Sequence, residues 1–468
     1  MRIVMVHYHL KPGGVTSVIR RQTEALAGLA EVLVVSGEPP GTDFPASVAV
    51  VPGLAYDLRR APHWSATLIA DRICDAIAKR WPRGCHLVHI HNPTLAKNRL
   101  LPEVLEQLQQ RRLQLLLQIH DFAEDARPGA YSPAPYPADC HYAVLNRRDR
   151  NILQAAGLRA DGVHLLPNEV AAPRGGDPGM PPGRHVLYPV RAIRRKNIGE
   201  AILLSLFLPP AVHLAVTLPP NSPADMDAYR FWQGFVHRHR LAVQWEVGRR
   251  QDFGTLVQTA RFLITTSIAE GFGFAFLEPW RAGKWLWGRR LAPVCADFSD
   301  NGVDLSHLYT VLQAPTAWFD RRRWRNRWQK AMANAEAAFG RRSDPEAVRA
   351  AFERLAASER IDFGLLDEPL QAEVIARCVK TVADREHLAS LNPGLTAMAP
   401  PADAKARIAA NAVAVGRHYG AAAIGRRLRA VYQAAQKPIR QAVDKTRLLD
   451  SFLDLDRFSL LRWGPWTP

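Results

Sequence analysis

Two glutamates that flank a glycine turn are the residues best spaced to do chemistry in this sequence. Glu270 and Glu278 enclose the stretch Glu-Gly-Phe-Gly-Phe-Ala-Phe-Leu-Glu. The apolar run 262–267 precedes them, which predicts a buried strand, then the glycine turn and a helix over 274–282. Ligands of open α/β sheets bind where strands end and helices begin, so both carboxylates are candidates to face one ligand. The alternative is that they only flank a helix whose dipole favours negative charge.

A basic turn supplies the charge that would complement an anionic ligand. Arg191 and Lys196 follow the strand-like run 185–190 and lie on a turn that enters a helix. A guanidinium binds phosphate oxygens in pairs and an ammonium acts as a point charge, so the two can converge on one anion. A solvated basic turn is the alternative. Arg194 and Arg195 add charge to the turn, and the sequence does not rank them.

A glycine pair lies between the first strand-like and the first helix-like segment. Gly13 and Gly14 allow the backbone to approach a ligand closely at a helix start, where anions bind. The loop lacks the G-x-G-x-x-G pattern of dinucleotide-binding proteins, which disfavours an oxidoreductase.

Histidines end two predicted strands of the first half. His120 ends the strand-like run 113–120 and has Asp121 beside it, which would place an imidazole and a carboxylate at a sheet edge. His89 and His91 alternate and so point the same way along their strand. No further metal ligands are evident near them, so we predict no metal site.

Composition places the chain among globular proteins. Its 468 residues are 47% hydrophobic and 22% charged, with a net charge of +17 and five scattered cysteines that form no C-x-x-C pair. The N-terminus lacks a signal peptide's apolar core, and no apolar stretch is long enough to span a bilayer. We therefore expect a cytoplasmic protein.

The positive charge is expected to attract polyanions, whether nucleotide-sugar phosphates or an anionic membrane. No nucleic-acid-binding motif accompanies it, so nucleic acid is not an expected partner. The basic run 320–328 is interpreted as a solvated helix face, with a membrane patch at the inner face of the membrane as the alternative.

Strand-like and helix-like segments alternate twice along the chain. The first series ends near 172, the Pro- and Gly-rich stretch 173–184 follows, and a second series starts at 185. Such alternation predicts an α/β fold of two doubly wound parallel sheets facing a cleft. Beyond about 315 the pattern is almost wholly helical. The apolar tail 448–463 is expected to pack inside the protein, with a membrane-surface anchor as the alternative.

Together these segments resemble the retaining GT-B glycosyltransferases of family 4, in the family's order over about residues 1–300. The resemblance is carried by the glycine loop at 13–14, His89-Ile-His91, His120, Pro167-Asn-Glu-Val170, Arg191-x4-Lys196 and Glu270-x7-Glu278. Two positions depart from the family pattern, since Glu169 and Val190 each stand where a glycine is usual.

The resemblance implies two Rossmann-like domains with a helical C-terminal extension. It assigns 1–172 to an acceptor domain, 173–184 to a linker and 185–403 to a nucleotide-sugar donor domain. The helical tail 404–468 would cross back to the first domain.

The resemblance also implies roles for the site residues. Catalytic roles fall to His120 and Glu270, while Gly13, Gly14, Arg191, Lys196, Gly273, Phe274 and Glu278 would bind the donor. Asp121, Glu124 and Asp125 are candidates to bind the acceptor. A nucleotide-diphospho-sugar would be the co-substrate, with no cofactor and no metal required. The acceptor would be a glycan, a lipid or a small molecule.

Two other function classes stay open at this point. One is a GT-B enzyme of the phosphorylase or epimerase kind, which needs no acceptor hydroxyl. The other is a catalytically silent sugar-nucleotide-binding protein associated with a membrane. The sequence names neither the nucleotide nor the sugar, and it leaves the linkage and the oligomeric state open.

Overall fold

The computed structural model describes residues 1–41, 43–172, 183–342 and 344–467. The chain divides into two compact units. Unit 1 consists of Met1–Val170 and Arg417–Leu453, and unit 2 of Ala171–Gly416 and Asp454–Pro468. Most of the predicted linker, 173–182, lies outside the described residues.

Unit 1 is built on a seven-stranded parallel sheet. Its strands are β1 (Arg2–His7), β2 (Glu31–Ser36), β3 (Ser47–Val50), β4 (Leu87–His91), β5 (Leu115–Ile119), β6 (His141–Val144) and β7 (Val163–Leu165), in the order β3-β2-β1-β4-β5-β6-β7. The central strands β4 and β5 are buried along their length, as expected where helices cover both faces of a parallel sheet.

Unit 2 contains a five-stranded parallel sheet and a small antiparallel pair. The strands are β8 (His185–Arg191), β9 (His213–Leu218), β10 (Val243–Gln244), β11 (Leu263–Thr265), β12 (Leu286–Gly288), β13 (Gln313–Pro315) and β14 (Arg360–Asp362). The parallel sheet has the order β10-β9-β8-β11-β12, and β13 pairs with β14. The predicted α/β class with two doubly wound parallel sheets is confirmed.

Helices connect the strands and form most of the C-terminal third. They are α1 (Gly14–Ala25), α2 (Ala66–Arg80), α3 (Leu101–Gln110), α4 (Arg147–Ala155), α5 (Ile198–Ser205), α6 (Pro223–Arg238), α7 (Phe253–Thr259), α8 (Glu278–Arg281), α9 (Ala292–Asp300), α10 (Arg321–Ala338), α11 (Pro345–Ala356), α12 (Glu368–Lys380), α13 (Val382–Leu391), α14 (Ala404–Tyr419), α15 (Ala421–Ala434), α16 (Lys445–Asp450) and α17 (Leu460–Trp463). Side-chain caps fix several starts. Asn146, for example, accepts a 2.8 Å hydrogen bond from the backbone N–H of Asp149 at the start of α4.

The C-terminal region is shared between the two units. The boundary at Gly416 falls inside α14, and α15 packs against α1 in unit 1. Gly425 permits this packing, because a Cβ there would lie 2.7 Å from the carbonyl oxygen of Ala25. Ile424 and Tyr432 of α15 enter the same core cluster as Ile3.

The last part of the tail belongs to unit 2, which includes Asp454–Pro468. The segment predicted as a tail, 404–468, is therefore divided between the two units. Its apolar residues are buried, namely Leu448, Leu449, Phe452 and Leu453 in unit 1 and Phe458, Leu460 and Leu461 in unit 2. Their burial is what packing of the apolar segment 448–463 inside the protein would produce.

Candidate functional site

The candidate site of unit 2 lies at the point in its parallel sheet where the order of strand addition reverses, between β8 and β11. The chain leaves β8 for β9 on one side, whereas β11 and β12 extend the sheet on the other. Such a switch point opens a crevice at the carboxyl ends of the two central strands, where ligands of doubly wound folds bind. Arg191 ends β8 and is exposed, and the residues after Thr265 leave β11 at the same edge.

Glu270 is the buried carboxylate at this edge, with 9% of its surface exposed. Its Oε1 pairs with Lys196 Nζ, and its Oε2 accepts a 3.1 Å hydrogen bond from Arg195. Burial by itself would raise the pKa of Glu270, but the Lys196 and Arg195 charges outweigh it and lower the pKa to about 2. Glu270 is therefore a fixed anion at neutral pH.

Two hydroxyl groups fix the backbone of Lys196. Its carbonyl oxygen accepts hydrogen bonds from the Tyr188 hydroxyl at 2.6 Å and from the Thr266 hydroxyl at 3.0 Å. Burial lowers the pKa of Lys196, while the Glu270 charge acts in the opposite direction. Sequence reasoning missed the structural roles of Tyr188 and Thr266, although the run of small hydroxyl residues that ends the strand was a signal.

The structure ranks the two remaining arginines of the basic turn. Arg194 is mostly buried and forms two hydrogen bonds to Glu368, of 2.6 and 2.8 Å, so it ties the turn to α12. Arg195 instead contacts Glu270 and the carbonyl oxygen of Ala269. Of these two arginines, only Arg195 contacts the Glu270 carboxylate together with Lys196.

The predicted helix over 274–282 is wrong in its extent. A 3-10 turn covers Phe274–Phe276, and α8 begins only at Glu278. Pro279 lies in the first turn of α8. A proline has no N–H to donate to the preceding turn, which interrupts a helix at this position.

Gly273 has a conformation that other residues rarely adopt. Its φ of +94° is left-handed, and a Cβ would lie 3.0 Å from Phe276 and 3.1 Å from Val294. Phe274 and Glu278 follow this turn, and both are half-buried. The Glu278 charge acts on the pKa of Lys196 in the same direction as the Glu270 charge, and both oppose the effect of burial.

Unit 1 has its own switch point, between β1 and β4. His91 ends β4, and its Nδ1 lies 3.0 Å from Nε2 of His120, just beyond β5. Asn92, at a φ of 53°, accepts a 2.7 Å hydrogen bond from the His120 backbone N–H. Burial lowers the pKa of His120 to about 4, so this imidazole is neutral at pH 7.

The three candidate acceptor residues differ in their surroundings. Asp121 pairs with Arg127 at 2.9 Å and is partly exposed. Glu124 is fully buried, where it accepts a 2.7 Å hydrogen bond from Tyr136 and pairs with Lys445. Glu124 thus ties the start of α16 to the rest of unit 1. Asp125 lies 3.8 Å from Arg148.

The glycine loop of unit 1 matches its predicted position between β1 and α1. Gly13 and Gly14 are exposed, and no side chain caps the start of α1. The first N–H groups of a helix are then available to an anion.

The basic run 320–328 forms the start of α10. Trp324 and Trp328 are buried in it, while Arg321 and Arg325 both pair with Glu353 of α11. The exposed arginines match the interpretation of a solvated helix face, whereas the burial of the two tryptophans was not predicted.

Within the described ranges, no group of three or more His, Cys, Asp or Glu side chains could hold a metal ion. None of the helices there has the length and apolar character that crossing a membrane requires.

Comparisons with known proteins agree with this architecture. No protein-family model matches the chain. A mannosylglucosyl-3-phosphoglycerate synthase from Petrotoga mobilis is 24% identical over 315 residues, which are 59% of this chain and 62% of that protein. The chain thus matches less than two thirds of this relative's length.

Solved structures give the same picture over more of the chain. A sucrose-phosphate synthase from Thermosynechococcus elongatus superposes with a TM-score of 0.52 at 14% identity, covering 92% of this chain and 98% of that one. HepE from Anabaena, solved with UDP and glucose, has a TM-score of 0.54 at 12% identity and covers 92% and 99%. Together with its two Rossmann-like units, these likenesses define the chain as a protein of the GT-B fold.

Proposed function

We propose that the protein is a retaining glycosyltransferase of the family 4 type, which moves a hexose from a nucleotide-diphospho-sugar to an acceptor hydroxyl. The observation that carries the proposal is the buried, ionised Glu270 held beside Lys196 at the switch point of unit 2. A carboxylate of this kind accepts hydrogen bonds from sugar hydroxyls, and the neighbouring cations suit a diphosphate.

Each residue has a role in this proposal. Glu270 binds hydroxyl groups of the transferred sugar and Glu278 binds the nucleotide ribose. Arg191 and Lys196 bind the diphosphate, with the turn at Gly273 and Phe274 and the glycine loop at 13–14 close to the donor. For His120 of unit 1, whose imidazole is neutral at pH 7, the family resemblance implies a catalytic role towards the transferred sugar.

The chemistry follows from the charge that develops during transfer. The bond from the sugar's anomeric carbon to the diphosphate breaks, and negative charge grows on the departing oxygen. Arg191 and Lys196 stabilise that charge, the kind of electrostatic contribution that is often the largest in catalysis. The acceptor oxygen bonds to the same face of the anomeric carbon, and its proton passes to the diphosphate. These steps retain the anomeric configuration.

The known relatives suggest classes of substrate. HepE was solved with UDP and glucose, and the Petrotoga protein is named for a mannosylglucosyl-3-phosphoglycerate. We therefore propose a UDP-linked hexose as the first candidate donor and an acceptor that carries an anionic group. The net charge of +17 supports anionic substrates.

A thermal-shift screen tests the proposal. The protein is heated with UDP-glucose, GDP-mannose and ADP-glucose, because a ligand that binds only the native state raises the unfolding temperature. We expect one nucleotide sugar to raise it and then to be consumed with an acceptor present, and NMR of the product to show the donor's anomeric configuration. Phosphorolysis, epimerisation without acceptor, or binding of none of the three would contradict the proposal.

A further inference from the structure

Arg195 holds the segment that carries Glu270 at three points. Its guanidinium donates to the carbonyl oxygen of Ala269 at 2.8 Å and to Oε2 of Glu270 at 3.1 Å. Its own carbonyl oxygen accepts a 3.0 Å hydrogen bond from the Ile268 N–H. The basic turn after β8 and the loop after β11 are thereby joined through one residue.

The contacts with Lys196 and Arg195 fix the direction of the Glu270 carboxylate. Oε1 faces Lys196 and Oε2 faces Arg195, so rotation about the last side-chain bond would break a charged hydrogen bond. An ionised carboxylate offers about four acceptor positions, so Glu270 retains capacity for a ligand's hydroxyl group beside its contacts with Lys196, Arg195 and Ser267.

We propose that Arg195 is a positioning residue that aims Glu270 at the hydroxyl groups of the transferred sugar. It acts on recognition of the sugar through Glu270, whereas Arg191 and Lys196 act on the diphosphate. This inference rests on the proposed function.

The location of Arg195 separates this role from a purely structural one. Its side chain is 31% exposed, and the buried Glu270 keeps the Lys196 ammonium as a counter-charge when the Arg195 guanidinium is removed. Replacing the guanidinium by an uncharged chain of similar length therefore leaves the fold intact while freeing Glu270 to rotate.

The test compares binding of nucleotide sugars with binding of the bare nucleoside diphosphates. Isothermal titration measures UDP against UDP-glucose, GDP against GDP-mannose and ADP against ADP-glucose for the wild type and Arg195→Met. With the donor that binds the wild type, Arg195→Met should weaken nucleotide-sugar binding about ten- to a hundredfold, the loss expected for a charged hydrogen bond. Affinity for the matching diphosphate should change less than about twofold.

A double-variant comparison shows whether the effect passes through Glu270. In a Glu270→Gln background, Arg195→Met should add less than about a twofold further loss, because the carboxylate it orients is gone. Arg238→Met, an exposed arginine on α6, serves as the matched control and should bind both ligands as the wild type does.

Two results would overturn the inference alone. They are equal losses for diphosphate and nucleotide sugar, or a full tenfold loss that persists in the Glu270→Gln background. If the wild type binds no nucleotide sugar at all, the proposed function fails and this inference fails with it.

Discussion

At the scale of single residues, Glu270 shows what the sequence contained and what it did not. Its spacing from Glu278 and its position after a strand made it a candidate from the sequence alone. Its two cationic partners were not equally evident. Lys196 matched a motif, but only the folded loop brings Arg195 to Oε2 of Glu270 while Arg194 turns to Glu368. Adjacent arginines of one turn cannot be ranked by sequence, because their partners lie about 75 and 174 positions away.

The first prediction concerns the charge of Glu270. Glu270→Gln keeps the side chain's shape but removes its charge and one acceptor oxygen, leaving Lys196 without its partner. We expect kcat/KM for sugar transfer to fall by at least about a hundredfold, a loss of about 3 kcal/mol of transition-state stabilisation.

A matched control makes this result specific. Glu386→Gln, on the exposed side of α13, should transfer sugar at the wild-type rate. Transfer by Glu270→Gln within about threefold of wild type would remove Glu270 from the site.

The second prediction concerns the two cations assigned to the diphosphate. Arg191→Ala and Lys196→Ala should each weaken nucleoside-diphosphate binding by about 1.5–3 kcal/mol, because each loses a hydrogen bond between charged groups. Isothermal titration at constant ionic strength measures the change. An unaltered Kd for either variant would show that this residue does not bind the diphosphate.

At the scale of elements, the alternation of strands and helices was predictable and the glycine turn was only partly so. Parallel strands buried on both faces are largely apolar runs, which is why β1 and β5 were evident from the sequence. The long helix expected after Gly273 was not found, since Pro279 divides it. The short antiparallel strand β14 gave no comparable signal, because it has only three residues, Arg360–Asp362.

The third prediction tests the turn. Gly273→Ala should lower the free energy of unfolding by about 1–3 kcal/mol, because φ of +94° strains an L-residue and the new methyl meets Phe276 and Val294. Denaturant unfolding measures the loss. Gly234→Ala on α6 is the control, since a Cβ there has open space and alanine favours a helix. Equal stability of the two variants would show that the turn carries no strain.

At the scale of the whole molecule, two parallel α/β sheets and a helical C-terminal region followed from the sequence pattern. The division of that region between the units did not. It depends on tertiary contacts such as Gly425 against the Ala25 carbonyl, for which an Ala- and Arg-rich helix gives no local signal.

The fourth prediction concerns acid stability of unit 1, where buried histidines are concentrated. Burial lowers the pKa of His120 and His164 to about 4 and that of His7 and His89 to about 3. The unfolded chain takes up these protons near pH 6.5 and the folded chain does not. Stability is therefore complete above about pH 6.5 and is lost as the pH falls towards 4.

Calorimetry between pH 7 and pH 4.5 checks this expectation. We expect a transition that moves steeply to lower temperature with acid, and His164→Gln should make that movement shallower by removing one of the titrating groups. A transition temperature that does not change with pH across this range would contradict the assignment of neutral, buried histidines.

The order of the chain through the two units has a consequence for its biosynthesis. The core that contains Ile3 also contains Tyr432, so the sheet emerging first from the ribosome lacks part of its cover until α15 is made. At about 5–20 residues per second, the roughly 250 intervening residues take on the order of 12–50 seconds to translate. During that interval an apolar surface of the nascent chain is open to chaperones. Slowing translation within 171–416 should therefore reduce the yield of folded protein more than slowing it within the first 170 residues.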